Sequence, residues 1–262
     1  SPVALVGGGS NPAPGEISLA HNGVLFLDEF PEFSRQVLEV MRQPLEDRHI
    51  TIARAKYTID YPAGFMLVAS MNPCPCGFYN HPTKECLCSG AAVQKYLNRI
   101  SGPLLDRIDL QVEIFPVPFE ELASAREGEK SEAIKRRVIC AREIQALRFA
   151  AERGIHSNAQ MNSRLLRTYA SIDSDSLETL REAMTRLDMS ARAYDRILKV
   201  ARTIADLEQA TAILSAGGCA PTAETLREAI TAPIRTHHLS EALSYRNLDR
   251  GNWGQTVSKL PF

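Results

Sequence analysis

Residues 24–29 read VLFLDE, four apolar side chains followed by two acids, and this stretch decides how the fold is interpreted. A short apolar run of this kind, preceded by Gly23, predicts a strand that is buried on both faces of a parallel sheet. In an open α/β sheet, ligands bind beyond the carboxyl ends of the strands, which is where Asp28 and Glu29 stand. One carboxylate there can hold Mg²⁺, and the other can orient or deprotonate an attacking water. A strand that merely ends in solvated acids would have the same sequence.

P-loop nucleotide hydrolases place their Walker B acids in this way, but the chain lacks the other half of such a site. No G-x-x-x-x-G-K-[ST] sequence occurs in its 262 residues. The glycine cluster at residues 7–9 is followed by Ser10, Asn11 and Pro12, with no lysine to reach phosphates. We therefore expect that the chain either is no nucleotide hydrolase or begins downstream of its phosphate-binding loop.

Composition narrows the class of protein. A chain of 262 residues with 44% hydrophobic residues suits one large domain or two modest ones. The net charge of −1 gives no overall attraction to nucleic acid or anionic lipid, so any nucleic-acid contact depends on local basic features. No apolar run approaches membrane-spanning length, and the first residues do not resemble a signal peptide. Six cysteines in so long a chain do not suggest a secreted disulfide scaffold, so we predict a reducing, cytoplasmic location and no membrane partner.

The pattern of apolar residues changes character near Pro118. Before it, the sequence predicts a hairpin over residues 50–61 and strands over 65–69 and 110–115. After it, amphipathic helices are predicted over residues 120–150, 163–169, 175–187, 191–208 and 240–246, with a loosely ordered stretch at 210–222. The predicted organisation is an α/β core at residues 1–118, an all-helical domain at 119–250 and a tail at 251–262.

Three more polar residues stand where nucleotide chemistry could use them. Asn72 follows a predicted strand, so its amide could hydrogen-bond a γ-phosphate and an attacking water, although a turn-forming Asn before a proline is the alternative. Arg107 precedes a predicted strand and could reach a neighbouring subunit's γ-phosphate, with a surface ion cluster as the alternative. Arg192 lies in the first turn of a helix capped by Ser190, where a cation opposes the helix dipole, and a local rule broken in this way suggests a function. Arg196, one turn later, competes for that role.

Four cysteines form two pairs, Cys74-Pro75-Cys76 and Cys86-Leu87-Cys88, with nine residues between the pairs. Four thiolates brought together by one loop could bind Zn²⁺ tetrahedrally, although C-x-C is tighter than the usual C-x₂-C spacing. Reduced free thiols in a flexible loop are the alternative.

Taken in order, several motifs closely resemble those of the magnesium-chelatase-like AAA+ ATPases, which include a bacterial competence protein. The resemblance covers most of residues 3–209 and resumes at 238–243. The motifs are GEISLAHNG at 15–23 leading into VLFLDE, QPLE at 43–46, MNPCPCG at 71–77, LDRID at 105–109, SAR at 190–192 and ARTIADL at 201–207.

The resemblance implies a partial AAA+ core without its Walker A portion, followed by a helical lid. It makes Asp28 and Glu29 the Walker B pair, Asn72 sensor 1, Arg107 the arginine finger and Arg192 sensor 2. It implies ATP and Mg²⁺ as cofactors of the full-length protein, and a ring homo-oligomer, expected to be a hexamer, with active sites between subunits. The family carries its Walker A loop upstream, so the chain is similar to a C-terminal fragment and is expected to be inactive alone. Paired cysteines also occur in the family, which favours zinc.

The leading functional prediction is a DNA-dependent ATPase motor of the helicase type. Members of the resembled family are associated with branch migration of recombination intermediates during natural transformation. In related ring motors, a hairpin like that at residues 50–61 lines the pore and touches nucleic acid, which makes Arg54 and Lys56 candidate DNA-binding residues. Two cations per subunit become about twelve in a hexamer, enough for salt-sensitive phosphate contacts. A solvated basic turn is the alternative.

Two other functions stay open. The first is a chelatase motor subunit in which ATP hydrolysis drives Mg²⁺ insertion into a porphyrin, although the cysteine-rich stretch argues mildly against it. The second is a non-catalytic DNA-binding or assembly module, which the missing Walker A sequence favours. Stimulation of the ATPase by single-stranded DNA separates the motor from the chelatase, and a Walker A lysine upstream of Ser1 would exclude the module.

Overall fold

The computed structural model describes residues 1–9, 12–54, 57–114, 116–117, 128–187, 189–217 and 222–246. Within them the chain forms two compact units, which divide between Ile108 and Asp109. The first contains all the strands of the described residues and is called the α/β unit, and the second is called the helical unit. This architecture confirms the predicted fold class. The predicted domain boundary at residue 118 lies outside the described residues and stays a prediction. In the part of the chain that is described, no helix has both the length and the apolar character needed to cross a bilayer.

The α/β unit consists of short elements joined by tight turns. Its helices are α1 (Pro2–Val6), α2 (Glu16–Leu19), α3 (Arg35–Glu39), α4 (Arg42–Asp47), α5 (Gly90–Leu97) and α6 (Gly102–Leu105). Its strands are β1 (Gly7–Gly8), β2 (Ala13–Pro14), β3 (Val24–Leu27), β4 (His49–Arg54), β5 (Tyr57–Pro62) and β6 (Met66–Ala69), and a 3₁₀ turn covers Phe30–Glu32.

Strands β3 and β6 form a parallel pair, which places their carboxyl ends at one edge. The register aligns Val24 with Met66 and Leu27 with Ala69. Hydrogen bonds before the strands fix this register, because the ring Nδ1 of His21 accepts the backbone N–H of Gly64 at 3.0 Å. The residue that follows β3 therefore lies beside the residue that follows β6.

One face of this pair is exposed, which contradicts the predicted burial of residues 24–27 on both faces. Val24, Phe26, Met66 and Val68 share that face and are 40–63% exposed. The opposite face packs into the core of the unit through residues such as Leu27, which is 7% exposed. The alternating exposure follows from the geometry of a strand, since successive side chains point to opposite faces. Among the described residues, the strand pair is covered on one face only.

The predicted hairpin is confirmed: β4 and β5 pair antiparallel over their whole length, from His49 opposite Pro62 to Arg54 opposite Tyr57. Ile50 and Ile52 of β4 point into the core of the unit, as alternation requires. The buried core consists of Leu5, Ile17, Leu27, Phe30, Val37, Leu38, Met41, Ile50, Ile52, Ala63, Ile100 and Leu104.

The helical unit is organised around one long helix. Its elements are α7 (Ser131–Arg148), a 3₁₀ turn (Asn158–Gln160), α8 (Ser163–Tyr169), α9 (Ser174–Arg186), α10 (Ala191–Gly217), α11 (Ala223–Ile230) and α12 (Thr236–Ser244). Apolar residues of α10 such as Ile197, Ala201 and Ala205 are fully buried against α8, α9 and α12. They recur three or four positions apart, which is the period of one helix face.

A buried polar network joins three segments of the helical unit. The guanidinium of Arg148 donates to both carboxylate oxygens of Asp206 at 2.6 Å and to Asn158 Oδ1 at 2.9 Å. Arg202 donates to the same Asp206 at 3.0 Å. The side chains of Arg148 and Asp206 are 0% exposed, so each charge depends on its partners rather than on water.

Three predictions about local structure are wrong. Residues 110–114 form no strand, and Val112 and Ile114 are 64% and 88% exposed. The stretch at 210–217 is not loose but continues α10, because Ala210 packs into a second apolar cluster with α7 and α11. The last helix begins at Thr236 instead of Ser240, because the side chain of His238 caps its first turn.

Candidate active site and cysteine cluster

Asp28 and Ser70 meet at the edge where the parallel strands end. The Ser70 hydroxyl donates to Asp28 Oδ1, and the same oxygen accepts the backbone N–H of Glu29 at 3.0 Å. Ser70 was not among the predicted site residues. The signal was present in the sequence, since Ser70 follows the second apolar strand as Asp28 follows the first. A carboxylate and a hydroxyl side by side are oxygen ligands of the kind that Mg²⁺ prefers.

Glu29 has an unusual backbone conformation beside Asp28. Its φ of 50° and ψ of 47° are left-handed, which is uncommon for a residue other than glycine. Backbone hydrogen bonds hold the turn in place: Ser70 N–H donates to Leu27 at 3.0 Å and Phe30 N–H donates to Ser70 at 2.9 Å. The Glu29 side chain is exposed. A strained residue held by its surroundings is typical of functional sites, and here it directs a carboxylate into solvent.

Asn72 is exposed two residues beyond Ser70, at the same end of the strand pair. Its backbone contacts the hydroxyl of Tyr96, a residue of α5 that is 6% exposed. Burial raises the pKa of Tyr96, and the hydrogen bond from Asn72 acts in the opposite direction. Arg99, two residues after α5, donates to the carbonyl of Pro31 at 3.1 Å. Residues in and just after α5 therefore contact both the segment that follows β3 and the segment that follows β6.

Arg107 is held within the α/β unit and is only 8% exposed. One terminal nitrogen donates to Pro103 O at 2.7 Å, and the other forms an ion pair with Glu46. The predicted alternative was a surface cluster with the two neighbouring aspartates, whereas the ion pair seen here is with Glu46 of α4 and the Arg107 side chain is nearly buried. The QPLE motif and the LDRID motif therefore meet in space.

Arg192 and Arg196 differ in their surroundings in the helical unit. Helix α10 begins at Ala191, and Ser190 Oγ accepts the backbone N–H of Ala193 at 3.3 Å, which confirms the predicted cap. Arg196 forms an ion pair with Asp109 at 2.5 Å, whereas Arg192 is exposed. Of the two candidates, Arg192 is the more exposed.

The predicted DNA-binding residues are not part of the described site. Lys56 lies outside the described residues, and for Arg54 the structure describes the backbone of β4 alone. Their role stays a prediction.

The four paired cysteines come together in one cluster. Sulfur–sulfur distances are 3.4 Å for Cys74 and Cys76, 3.7 Å for Cys74 and Cys86, and 3.5 Å for Cys76 and Cys86. All four sulfurs, that of Cys88 included, lie within 4.8 Å of one another. These distances exclude disulfides, whose sulfurs are about 2.05 Å apart.

Backbone hydrogen bonds and neighbouring sulfurs shift the pKa values of these thiols in opposite directions. A backbone hydrogen bond from Phe78 lowers the pKa of Cys76 to about 6. The pKa of Cys86 is raised to about 12, because burial and the neighbouring sulfurs of Cys76 and Cys74 outweigh a hydrogen bond from the Cys88 backbone. One thiolate thus suppresses ionisation of the next, as expected for like charges held close together.

A second cluster, formed by Glu208, His237 and His238, is a helix cap rather than a metal site. Nδ1 of His238 accepts the backbone N–H of Arg235 at 2.9 Å, so the ring proton of neutral His238 lies on Nε2. That Nε2–H donates to Glu208 at 2.5 Å. A metal ion would have to displace this proton, and the ring would then be an imidazolate.

Two family models match the chain. The model described as magnesium chelatase, subunit ChlI, matches residues 1–122, and the model of the C-terminal part of subunit ChlI matches residues 128–217. The chain belongs to the magnesium-chelatase-like family of AAA+ proteins.

Curated members of the magnesium-chelatase-like family are similar over most of the chain. An uncharacterized protein YifB from Salmonella typhimurium is 43% identical over 252 residues, which is 95% of this chain and 44% of that protein. Competence protein ComM from Haemophilus influenzae is 44% identical over 248 residues, covering 94% of this chain and 43% of ComM. An uncharacterized protein Rv2897c from Mycobacterium tuberculosis is 44% identical over 208 residues. The chain thus spans less than half the length of these relatives.

Proposed function

We propose that this chain is part of an AAA+ ATPase motor subunit that acts on DNA in a helicase-type role. The observation that carries the proposal is the edge where β3 and β6 end. There Asp28 and Ser70 offer oxygen ligands, Glu29 presents a solvent-facing carboxylate, and Asn72 follows on the second strand. A solvated strand end would need neither the left-handed Glu29 nor a shared hydrogen bond across the strands.

Each polar residue of this edge has a separate proposed role in ATP hydrolysis. Mg²⁺, when bound with ATP, would neutralise phosphate charge, and Asp28 with Ser70 fits it as an oxygen donor pair. Glu29 would accept a proton from the attacking water, and Asn72 would hold that water beside the γ-phosphate. Arg192 would contact a phosphate from the start of α10. These 262 residues contain no phosphate-binding loop sequence, so we expect them to hydrolyse no ATP alone.

Arg107 is proposed to serve the active site of an adjacent subunit in a ring, expected to be a hexamer. An arginine finger supplied in trans contributes on the order of 10³-fold or more in related hydrolases. Mixing Arg107→Ala with Glu29→Gln subunits of the full-length protein tests this arrangement. Some interfaces then pair an intact Glu29 with an intact Arg107, so partial activity should return. Freely exchanging mixtures that stay inactive would exclude a shared site.

DNA is the proposed substrate because a relative of 44% identity bears the name of a competence protein, and competence concerns DNA uptake. Strand β4 ends at Arg54, and Arg54 and Lys56 are the residues proposed to touch the phosphate backbone. The test is the ATPase rate of the full-length protein with and without single-stranded DNA, across a salt series. Because phosphate contacts release counterions, stimulation should fall steeply with salt, and less steeply in an Arg54→Ala/Lys56→Ala variant.

A chelatase motor is the second candidate, because the matching family models bear the name of a magnesium chelatase subunit. The same assay separates the two functions. A rate raised by a porphyrin-binding partner and indifferent to DNA would favour the chelatase and reject the DNA motor.

Zn²⁺ is proposed as a structural cofactor of Cys74, Cys76, Cys86 and Cys88. Tetrahedral zinc with bonds of about 2.3 Å places its sulfur ligands about 3.8 Å apart, close to the spacing of these thiols. Protein purified without chelators should contain about one zinc per chain, and Cys86→Ser should lower that ratio. Cys140→Ser is the matched control, since Cys140 lies buried in the helical unit. Full metal retention by Cys86→Ser would reject the site.

A further inference from the structure

The ion pair between Arg107 and Glu46 has unequal partners. The Arg107 side chain is 8% exposed, with its Nη1 on Pro103 O and its Nη2 on Glu46. The Glu46 side chain is 42% exposed. Water can therefore solvate the carboxylate if the arginine leaves, whereas the buried guanidinium depends on the anion it contacts.

This asymmetry distinguishes the pair from a structural one in the same chain. In the helical unit, Arg148 and Asp206 are both 0% exposed, so neither can leave without stranding a buried charge. If Arg107 leaves Glu46, no buried carboxylate is left unpaired, because water can solvate the half-exposed Glu46 side chain. Carboxylate and phosphate oxygens present the same kind of acceptor to a guanidinium, so a phosphate can replace Glu46 without loss of charge compensation.

Space is available beside Arg107 for such an exchange. An open cavity of about 650 Å³ beside Arg107 is lined by charged side chains of both signs, Arg42, Glu39 and Asp47, and by Ile52 of the hairpin. In the observed position the guanidinium is withdrawn, since it is almost wholly covered by its own unit.

We infer that Glu46 is a positioning residue that holds Arg107 withdrawn until the γ-phosphate of a neighbouring subunit replaces the carboxylate. The inference rests on the proposed ring ATPase with Arg107 acting in trans. It adds a switch to that site: the arginine becomes available only when a nucleotide-bearing neighbour offers a competing anion. In a subunit outside a ring, Arg107 would stay paired with Glu46.

The test uses the full-length protein and compares Glu46→Gln with Glu46→Asp. The Gln amide lacks the charge that retains the guanidinium, so the DNA-independent kcat should rise, while the affinity for ATP, which the other subunit's residues supply, should not change. If the withdrawn form is the majority state, the rise equals the inverse of the competent fraction, roughly three- to tenfold. Asp keeps the charge on a shorter stem and should give an intermediate kcat. Glu129→Gln, which removes an exposed partner of Arg137 in the helical unit, should leave kcat unchanged.

The possible outcomes distinguish a failure of the Glu46 switch from a failure of the proposed arginine finger. A kcat at or below that of the unaltered protein in assembled Glu46→Gln rings overturns the switch. So does a loss of ring assembly in both variants, because the pair would then be structural. If Arg107→Ala hydrolyses ATP as fast as the unaltered protein, the arginine finger itself is wrong, and the switch is rejected with it.

Discussion

Each unit contains acidic residues at a key position, and their surroundings are opposite. In the helical unit, Asp206 is fully buried and receives hydrogen bonds from Arg148, Arg202 and Asn158. In the α/β unit, Asp28 and Glu29 stand exposed at a strand edge, and one of them is held in a strained conformation. Buried, fully paired charge specifies how helices pack, whereas exposed charge at a constrained edge is available to a ligand. The difference predicts which substitutions affect activity and which affect folding.

Glu29→Gln should cause the largest loss of activity in the full-length protein. The amide cannot accept a proton from water, so ATP hydrolysis should fall by about 10³-fold. ATP binding, ring assembly and the thermal midpoint should be retained, because the side chain is exposed. Turnover and fluorescent-nucleotide binding measured on one preparation check this. An equal loss in the exposed-surface control Glu224→Gln, or an unchanged rate, would contradict the assignment.

Asp206→Asn should do the reverse and reduce the stability of the helical unit. It leaves two arginines without their carboxylate in a site closed to water, a change that typically costs about 3–5 kcal/mol. Hydrogen exchange of the α10 amides reports this opening free energy without assuming that the whole protein unfolds in one step. Glu178→Gln, which breaks an exposed ion pair with Arg181, should have no measurable effect. Similar exchange rates in the two variants would show that burial does not distinguish these pairs.

Acidification should weaken the cap of α12, with the smallest effect of the three. Burial lowers the pKa of His238 below its ordinary value, so the native state keeps the ring neutral. As pH falls below about 6.5, the unfolded chain binds a proton that the folded chain resists, and stability is lost. The geometry agrees, since a proton on Nδ1 would face the N–H of Arg235. Glu208, whose pKa is lowered by the hydrogen bond from His238, loses its contribution in the same direction at lower pH.

The expected loss at α12 is on the order of 1 kcal/mol, the worth of one helix cap. Hydrogen exchange of α12 at pH 7.5 and 5.5, corrected for intrinsic rates, measures it. His238→Gln should flatten the pH dependence, and His156→Gln, at an exposed position, should preserve it. A pH response that survives His238→Gln would place the titrating group elsewhere.

Local patterns predicted the elements well where one period dominates the sequence. The hairpin and the helices at 163–169 and 174–186 lie within a residue or so of their predicted limits. The prediction of a strand at 110–115 was wrong because an apolar run has no period of its own and its backbone needs a partner strand. Helix α10 was predicted too short because small residues near its end pack against α7 and α11, and composition alone does not show that contact.

The sequence by itself determined the acids after the first strand, the amide after the second and the two cysteine pairs, because each is a residue type at a fixed distance from a local pattern. Only the tertiary structure decided which of these groups meet. Ser70 contacts Asp28 because β3 and β6 pair in parallel and in one register. Arg107 contacts Glu46 across 61 positions of chain. Such contacts follow from strand pairing and helix packing, whose energies depend on burial between distant segments, and no local period encodes them.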